Sequence, residues 1–138
     1  TRLPLILKGI MSEEDAKLSL KYKADGIWVS NHGGRMFNSG ISVAEALLKI
    51  KKIVGKKLIL IADGGVRRGS DIIKYLSMGA DFVGIGRPAI FGLFLNGNNG
   101  VKDVFDILNS EFYSSCINGG FVDRKDFSLK RLIIPKNF

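Results

Sequence analysis

The chain has one histidine, and its neighbours make it a candidate for chemistry. His32 stands in Ser30-Asn31-His32-Gly33-Gly34-Arg35, a polar, glycine-rich run that closes an apolar stretch. An imidazole titrates near neutrality and suits a general base. Arg35, three residues on, could dock a carboxylate through two parallel N–H groups and so orient a substrate. Two further glycine motifs carry cations: Gly64-Gly65 with Arg67, and Gly84-x-Gly86 with Arg87. Without a Cβ the backbone can approach a ligand closely. Both motifs precede an expected helix start, where unpaired N–H groups and the helix dipole favour an anion. The chemistry expected there is phosphate binding. Lys8 ends the first apolar run and offers a fixed positive charge to an anion or an electron-accepting ring. No second histidine accompanies His32, and Cys116 lies far along the chain, so no transition-metal site is expected. No G-x-S-x-G motif or nearby Ser/His/Asp order argues for a serine hydrolase.

The elements that must position these residues alternate in type. Leu3–Leu7 reads as a strand. Ser12 offers a helix N-cap with Glu13, Glu14 and Asp15 in the first turn, for a helix reaching about Lys23. Gly26–Ser30 is the second strand, followed by a loop to about Ser42. Val43, Leu47, Ile50 and Val54 share one helical face, and Gly55 stops that helix. Leu58–Ala62 is the third strand. A helix opens at Gly69-Ser70-Asp71 with Ile72, Ile73 and Leu76 inward, and Phe82–Ile85 is the fourth strand. Pro88 suits the first turn of a short helix, and Val101, Val104, Leu108 and Phe112 mark a last amphipathic one.

This β-α order with near-continuous apolar strands means a parallel sheet. Two architectures fit: a small doubly wound sheet, or half of an eight-fold (β/α) barrel, whose whole needs about 250 residues. In both, the working face lies at the C-terminal ends of the strands. Those ends here all carry polar or glycine-rich chemistry, a convergence stronger than any single motif. Residues 1–118 are expected to form the barrel half and residues 119–138 an irregular, basic tail.

Composition bounds the function. With 138 residues, 46% hydrophobic and 25% charged, this is one globular domain at most. No apolar run is long enough for a bilayer-spanning helix. A single cysteine excludes an internal disulfide framework and fits a reducing compartment. The expected location is cytoplasmic, with membrane-peripheral or organellar placement also open. A net charge of +8 first suggests nucleic acid. The lysines, however, lie scattered on helices rather than interleaved with aromatics, so a solvated basic surface is expected and no nucleic-acid partner.

Taken in order and spacing, Leu7-Lys8-Gly9-Ile10, Ser30-Asn31-His32-Gly33-Gly34-Arg35, Asp63-Gly64-Gly65-Val66-Arg67-Arg68-Gly69, Gly86-Arg87-Pro88 and Phe91-Gly92-Leu93 resemble the C-terminal half of the FMN-dependent 2-hydroxy acid oxidases and dehydrogenases. The resemblance covers roughly residues 3–120. It implies a (β/α)8 barrel with about its last four βα units present, FMN as cofactor, and oxidation of an (S)-2-hydroxy acid of the L-lactate or glycolate class. It implies His32 as catalytic base and Arg35 on the substrate carboxylate. Lys8 would stand at the N1/O2 edge of the flavin and Ser30 would hydrogen-bond it. Asp63 would bind the ribityl chain, and Gly64, Gly65, Val66, Arg67, Gly86 and Arg87 would line ribityl and phosphate. The family also implies a tetramer-like homo-oligomer, with oxygen, a quinone or a cytochrome left open as electron acceptor.

One departure is local: Arg35-Met36-Phe37-Asn38 replaces the usual Arg-Gln-Leu-Asp, so Asn38 is neutral where an acid is common. The larger one is that the family's first four strands have no counterpart. The expectation is therefore a fragment, or one piece, of a larger barrel that alone binds FMN weakly or not at all and turns nothing over. The competing readings are another phosphate-binding barrel, of the type 2 isopentenyl diphosphate isomerase or IMP dehydrogenase kind, and a non-catalytic remnant. The His32/Arg35 couple speaks against the first.

Overall fold

The computed structural model describes residues 1–37 and 40–135. Four strands form one wholly parallel sheet: β1 (Ile6–Ile10), β2 (Gly26–Val29), β3 (Ile59–Ala62) and β4 (Phe82–Val83). Their order in space is their order in sequence. A doubly wound sheet reverses its strand order at a switch point; this one does not, and the barrel-type architecture is the one adopted. The connecting helices are α1 (Glu13–Lys21), α2 (Val43–Val54), α3 (Gly69–Ser77) and α4 (Arg87–Gly119).

The two faces of the sheet differ. Leu7, Ile27 and Leu60 are in register across three strands and face the helices. Ile27, Val29, Leu60 and Ala62 are fully buried there with Leu47, Ile50 and Val54 of α2. The other face carries Lys8, Trp28, Ile61 and Phe82 in one row and is open, with Phe82 59% exposed and Ile59 41%. In a closed barrel such a face points inward, and its side chains fill the interior. Here it lies bare, beside the unpaired outer edges of β1 and β4.

The first strand is displaced from expectation. It runs Ile6–Ile10, not Leu3–Leu7. Pro4 has no N–H for a ladder, and pairing begins only where the Leu5 carbonyl accepts from Asp25 and Gly26. Lys8 consequently sits inside the strand, opposite Trp28, with a bulge at Gly9 (φ 93°) after it. β4 stops at Val83 instead of Ile85, although the Gly84 N–H still reaches the Ala62 carbonyl at 2.8 Å. The helix caps follow sequence. Ser42 and Glu45 make a reciprocal capping box on α2, and Gly55 ends it at φ 58°. Helix α4 is two segments joined at a break over Asn96 and Gly97. Beyond it the tail makes two single 3-10 turns, Arg124–Asp126 and Leu129–Arg131. It packs back through stacked Phe112, Phe121 and Phe127 and through Arg124 on Asp81 at 2.6 Å.

Helix α3 lies so close to α4 that a Cβ on Gly69 would collide with the backbone at Glu111 and Phe112. Backbone cannot yield as a flexible side chain can. Gly69→Ala is expected to destabilise the chain by about 2–3 kcal/mol, read as a lower urea midpoint at unchanged m-value. An unchanged midpoint would show that the two helices are free to part.

Candidate active site

The loop after β2 is built from left-handed backbone. His32 (φ 55°), Gly33 (φ 70°) and Gly34 (φ 77°) form a 3-10 turn capped by Asn31, whose Oδ1 accepts from the Gly34 N–H at 3.2 Å. Glycine accepts such φ values freely; histidine does so at a cost. The strain is held by the Ser30 hydroxyl, which accepts the His32 backbone N–H at 3.2 Å. A strained residue fixed by its surroundings is what a functional constraint produces. The imidazole is left exposed at the strand ends.

Ser30 itself is 1% exposed, and its oxygen also accepts from Lys8 Nζ at 3.0 Å. Lys8 Nζ lies 3.7 Å from Asp63 Oδ2 and 5.0 Å from the centre of the Trp28 ring. Hydroxyl, carboxylate and indole face together fix the position of the ammonium on the open side of the sheet.

Beside this cluster is a cavity of about 170 Å³ shared by three strand-end loops. His32, Arg35, Gly64, Gly65, Arg67, Gly86 and Arg87 all line it. Arg87 spans it, donating from Nη2 to the Gly33 carbonyl at 3.1 Å and so tying the head of α4 to the His32 turn. Arg67 donates from Nη1 to the Val66 carbonyl at 2.8 Å. Within the described residues, no backbone carbonyl accepts the N–H of Gly64, Gly65 or Gly86. These donors and two guanidiniums together are suited to an anion. Ligand pockets generally measure roughly 300–1,000 Å³, so this cavity has room for a group of about phosphate size rather than for a whole nucleotide-sized ligand.

The structure corrects the expected source of the donors. At α3 the N–H groups of Arg67 and Arg68 are taken by the Asp71 carboxylate, at 3.1 and 3.0 Å, and that of Gly69 by Glu111 at 2.8 Å. Burial acts against ionised Asp71, yet Lys74 and the two backbone donors hold its carboxyl below the usual range. Glu111 is lowered foremost by the Gly69 N–H. The head of α3 is therefore already neutralised by the protein's own acids. At α4, Pro88 has no N–H and those of Ala89 and Ile90 go to the Gly86 carbonyl. The backbone donors there left without a carbonyl among the described residues are those of Gly86 and Arg87. Val66 borders the cavity although it is 2% exposed and belongs to the core.

Lys8 and Ser30 lie outside the cavity lining, on the adjoining sheet face, and Asp63 connects the two regions. Its Oδ2 faces Lys8, while its Oδ1 is buried with no partner among the described residues. The Trp28 indole N–H is likewise buried and unpaired there. The structure thus gathers Lys8, Ser30, His32, Arg35, Asp63, Gly64, Gly65, Arg67, Gly86 and Arg87 at one end of four adjacent strands. Asn38 lies outside the described residues.

Two residues were not singled out from sequence. Trp28 reads only as an apolar strand residue, although its place opposite Lys8 follows once the register is known. Tyr75 reads as part of a helix between Ile73 and Leu76, but its hydroxyl reaches the Asp63-Gly64 turn.

The fold and site define a part of a (β/α)8 barrel that carries two glycine-arginine loops and a histidine at its strand ends. Over residues 1–133 the sequence matches the FMN-dependent dehydrogenase family, and the chain belongs to that family. It is 47% identical to a 2-hydroxyacid oxidase of Dictyostelium discoideum over 128 residues, 93% of this chain and 33% of the relative. It is 51% identical to an L-lactate oxidase of Lentilactobacillus hilgardii over 111 residues, 80% of this chain and 30% of the relative. A lactate oxidase structure from Pediococcus acidilactici superposes with a TM-score of 0.88 at 46% identity, over 92% of this chain and 35% of that one. The chain therefore spans about a third of the length of these relatives.

FMN is the family's cofactor, and the residues present fit it. The free N–H groups and guanidiniums suit its phosphate, and the unpaired Asp63 Oδ1 suits a ribityl hydroxyl. Lys8 on the open face suits the electron-rich edge of the ring. No helix among the described residues is long and apolar enough to cross a membrane.

Proposed function

We propose that the chain forms the FMN-phosphate and base-bearing part of an enzyme that oxidises a small (S)-2-hydroxy acid, of the L-lactate or glycolate class, to the 2-oxo acid. The observation that carries this is the convergence of Lys8, His32, Arg67 and Arg87 on one end of a barrel-type sheet. Bound FMN would supply the two-electron oxidation.

The chain's own residues divide the remaining work. Arg35 would bind the substrate carboxylate and set which face of the substrate meets His32. His32 would take a proton from the substrate as its electrons leave. Lys8, held by Ser30 and Asp63, would offset negative charge at the ring edge. Gly64, Gly65 and the backbone of Val66, with Arg67, Gly86 and Arg87, would hold the phosphate, and Asp63 the ribityl chain. A peroxisomal (S)-2-hydroxyacid oxidase of Arabidopsis thaliana is 45% identical over 112 residues, and we place this activity in a reducing cytosolic or organellar compartment. Association of such barrels into a homo-oligomer belongs to the same reading.

The open sheet face bears on activity. Phe82, Ile59 and Ile6 are uncovered apolar side chains on the sheet face that a closed barrel would turn inward. The 138-residue chain by itself is expected to bind FMN at least tenfold more weakly than a barrel completed with the remaining βα units. The test grafts this chain into the Lentilactobacillus lactate oxidase in place of the matching segment. FMN quenching and L-lactate-dependent bleaching are expected in the graft, and neither at micromolar concentration in the chain alone. A graft that binds FMN but is bleached by no 2-hydroxy acid would favour a non-catalytic remnant.

A further inference from the structure

Tyr75 sits on α3, 7% exposed, and points its hydroxyl at the turn that carries the phosphate donors. The phenol oxygen lies 2.8 Å from the Gly64 carbonyl and 3.2 Å from the Asp63 carbonyl. No peptide among the described residues is cis. In a trans peptide the carbonyl and the following N–H point in opposite directions. Holding the Asp63 carbonyl therefore aims the Gly64 N–H away from Tyr75, and holding the Gly64 carbonyl does the same for the Gly65 N–H. Tyr75 borders a hollow that also reaches Asn31, Val43, Gly64, Gly65 and Arg87. It does not line the adjoining cavity with Arg67 and Gly86, which shares the Gly64-Gly65 turn.

The turn needs such a hold. Gly64 (φ 99°) and Gly65 (φ 71°) follow β3 directly and belong to no helix or strand. Two consecutive glycines have the widest choice of conformations of any pair, and ordering them on ligand binding would cost affinity. A buried phenol whose single proton is shared between the two carbonyls, nearer that of Gly64, lowers that cost before the ligand arrives. Burial foremost, then the charges of Asp63 and Asp71, push the Tyr75 phenol up to about 12, so it remains a donor throughout the neutral range.

We infer that Tyr75 is a positioning residue for the anion site: its hydroxyl pre-sets the Gly64 and Gly65 N–H groups toward a phosphate that it never touches. This rests on the flavin-phosphate reading above and adds to it a residue outside the glycine-arginine motifs. Phenylalanine keeps the ring and its packing and removes only the grip.

The test uses the full chain, isotopically labelled, and inorganic phosphate as the probe. In the parent, the amide signals of Gly64, Gly65 and Gly86 are expected to shift together with one dissociation constant. In Tyr75→Phe that constant is expected to rise about three- to tenfold, the loss of one intramolecular hydrogen bond, with the other amides in place. An equal constant in the two proteins overturns the role of Tyr75 and leaves the phosphate site standing. Absence of any saturable response in the parent overturns the phosphate site as well. If Tyr75→Phe does not fold, the parent carrying 3-fluorotyrosine supplies the answer. The buried Tyr75 fluorine signal is expected to move with the same midpoint as the glycine amides, and a signal that stays fixed through saturation overturns the inference.

Discussion

Substituting His32 by glutamine in the grafted enzyme is expected to slow reduction of the flavin by L-lactate at least about a hundredfold, the low end of what a general base contributes. FMN binding is expected to stay within about twofold, because no phosphate donor is disturbed. Glutamine is similar in length and polarity but cannot take a proton. The left-handed backbone at position 32 strains both residues alike, and the Ser30 hydroxyl still receives the backbone N–H. A fall in both flavin affinity and rate would mean that the turn had rearranged. Full flavin reduction in the His32→Gln enzyme would remove the base assignment. Stopped-flow bleaching separates these outcomes, since it reads the chemical step apart from reoxidation.

The second large effect is at Arg87. Its guanidinium lines the cavity and also bridges to the Gly33 carbonyl, so in the proposed site one side chain would serve both the phosphate end and the histidine turn. Hydrogen bonds to charged groups contribute roughly 1.5–3 kcal/mol, and every 1.4 kcal/mol or so is tenfold in affinity. Arg87→Met keeps the length of the stem and removes the charge and the bridge. FMN affinity of the grafted enzyme is expected to fall between about tenfold and a hundredfold, measured by flavin fluorescence. Lys102→Met is the control: Lys102 is an exposed helix residue paired only with Asp106 at 3.4 Å, and its loss is expected to leave FMN affinity unchanged. Equal effects at the two positions would reduce the role of Arg87 to net charge.

The helix-to-sheet half of this fold was legible because the amphipathic signals are local. The face of Val43, Leu47, Ile50 and Val54 and the Gly55 stop fall where expected, while Ser42, expected only as the end of a loop, caps the helix. The polar strand ends were legible because apolar runs stop abruptly in Gly, Asp, His and Arg. Three features were not. Leu3–Leu7 is apolar, but pairing is decided by the Asp25-Gly26 segment that receives it, twenty residues away, and this moved the strand forward onto Lys8. The choice between a doubly wound sheet and a barrel depends on spatial strand order, which hydropathy does not encode; the family resemblance supplied it, and the strand order agrees. Occupation of the α3 head by Glu111 needs a contact 42 residues distant, and Asp71 reads from sequence as an ordinary first-turn acid. Tyr75 escaped for a related reason: its hydroxyl bonds to carbonyls, groups that every residue has and no motif displays.

The central claim is that the tips of four neighbouring strands enclose one phosphorylated flavin. A crystal structure of the grafted enzyme grown with FMN tests it most directly. The account requires the phosphate between the Gly64-Gly65 turn and Gly86-Arg87, with Lys8 against the ring and His32 on the substrate side. Phosphate density at the head of α3 beside Glu111, or a ring remote from Lys8, would contradict it.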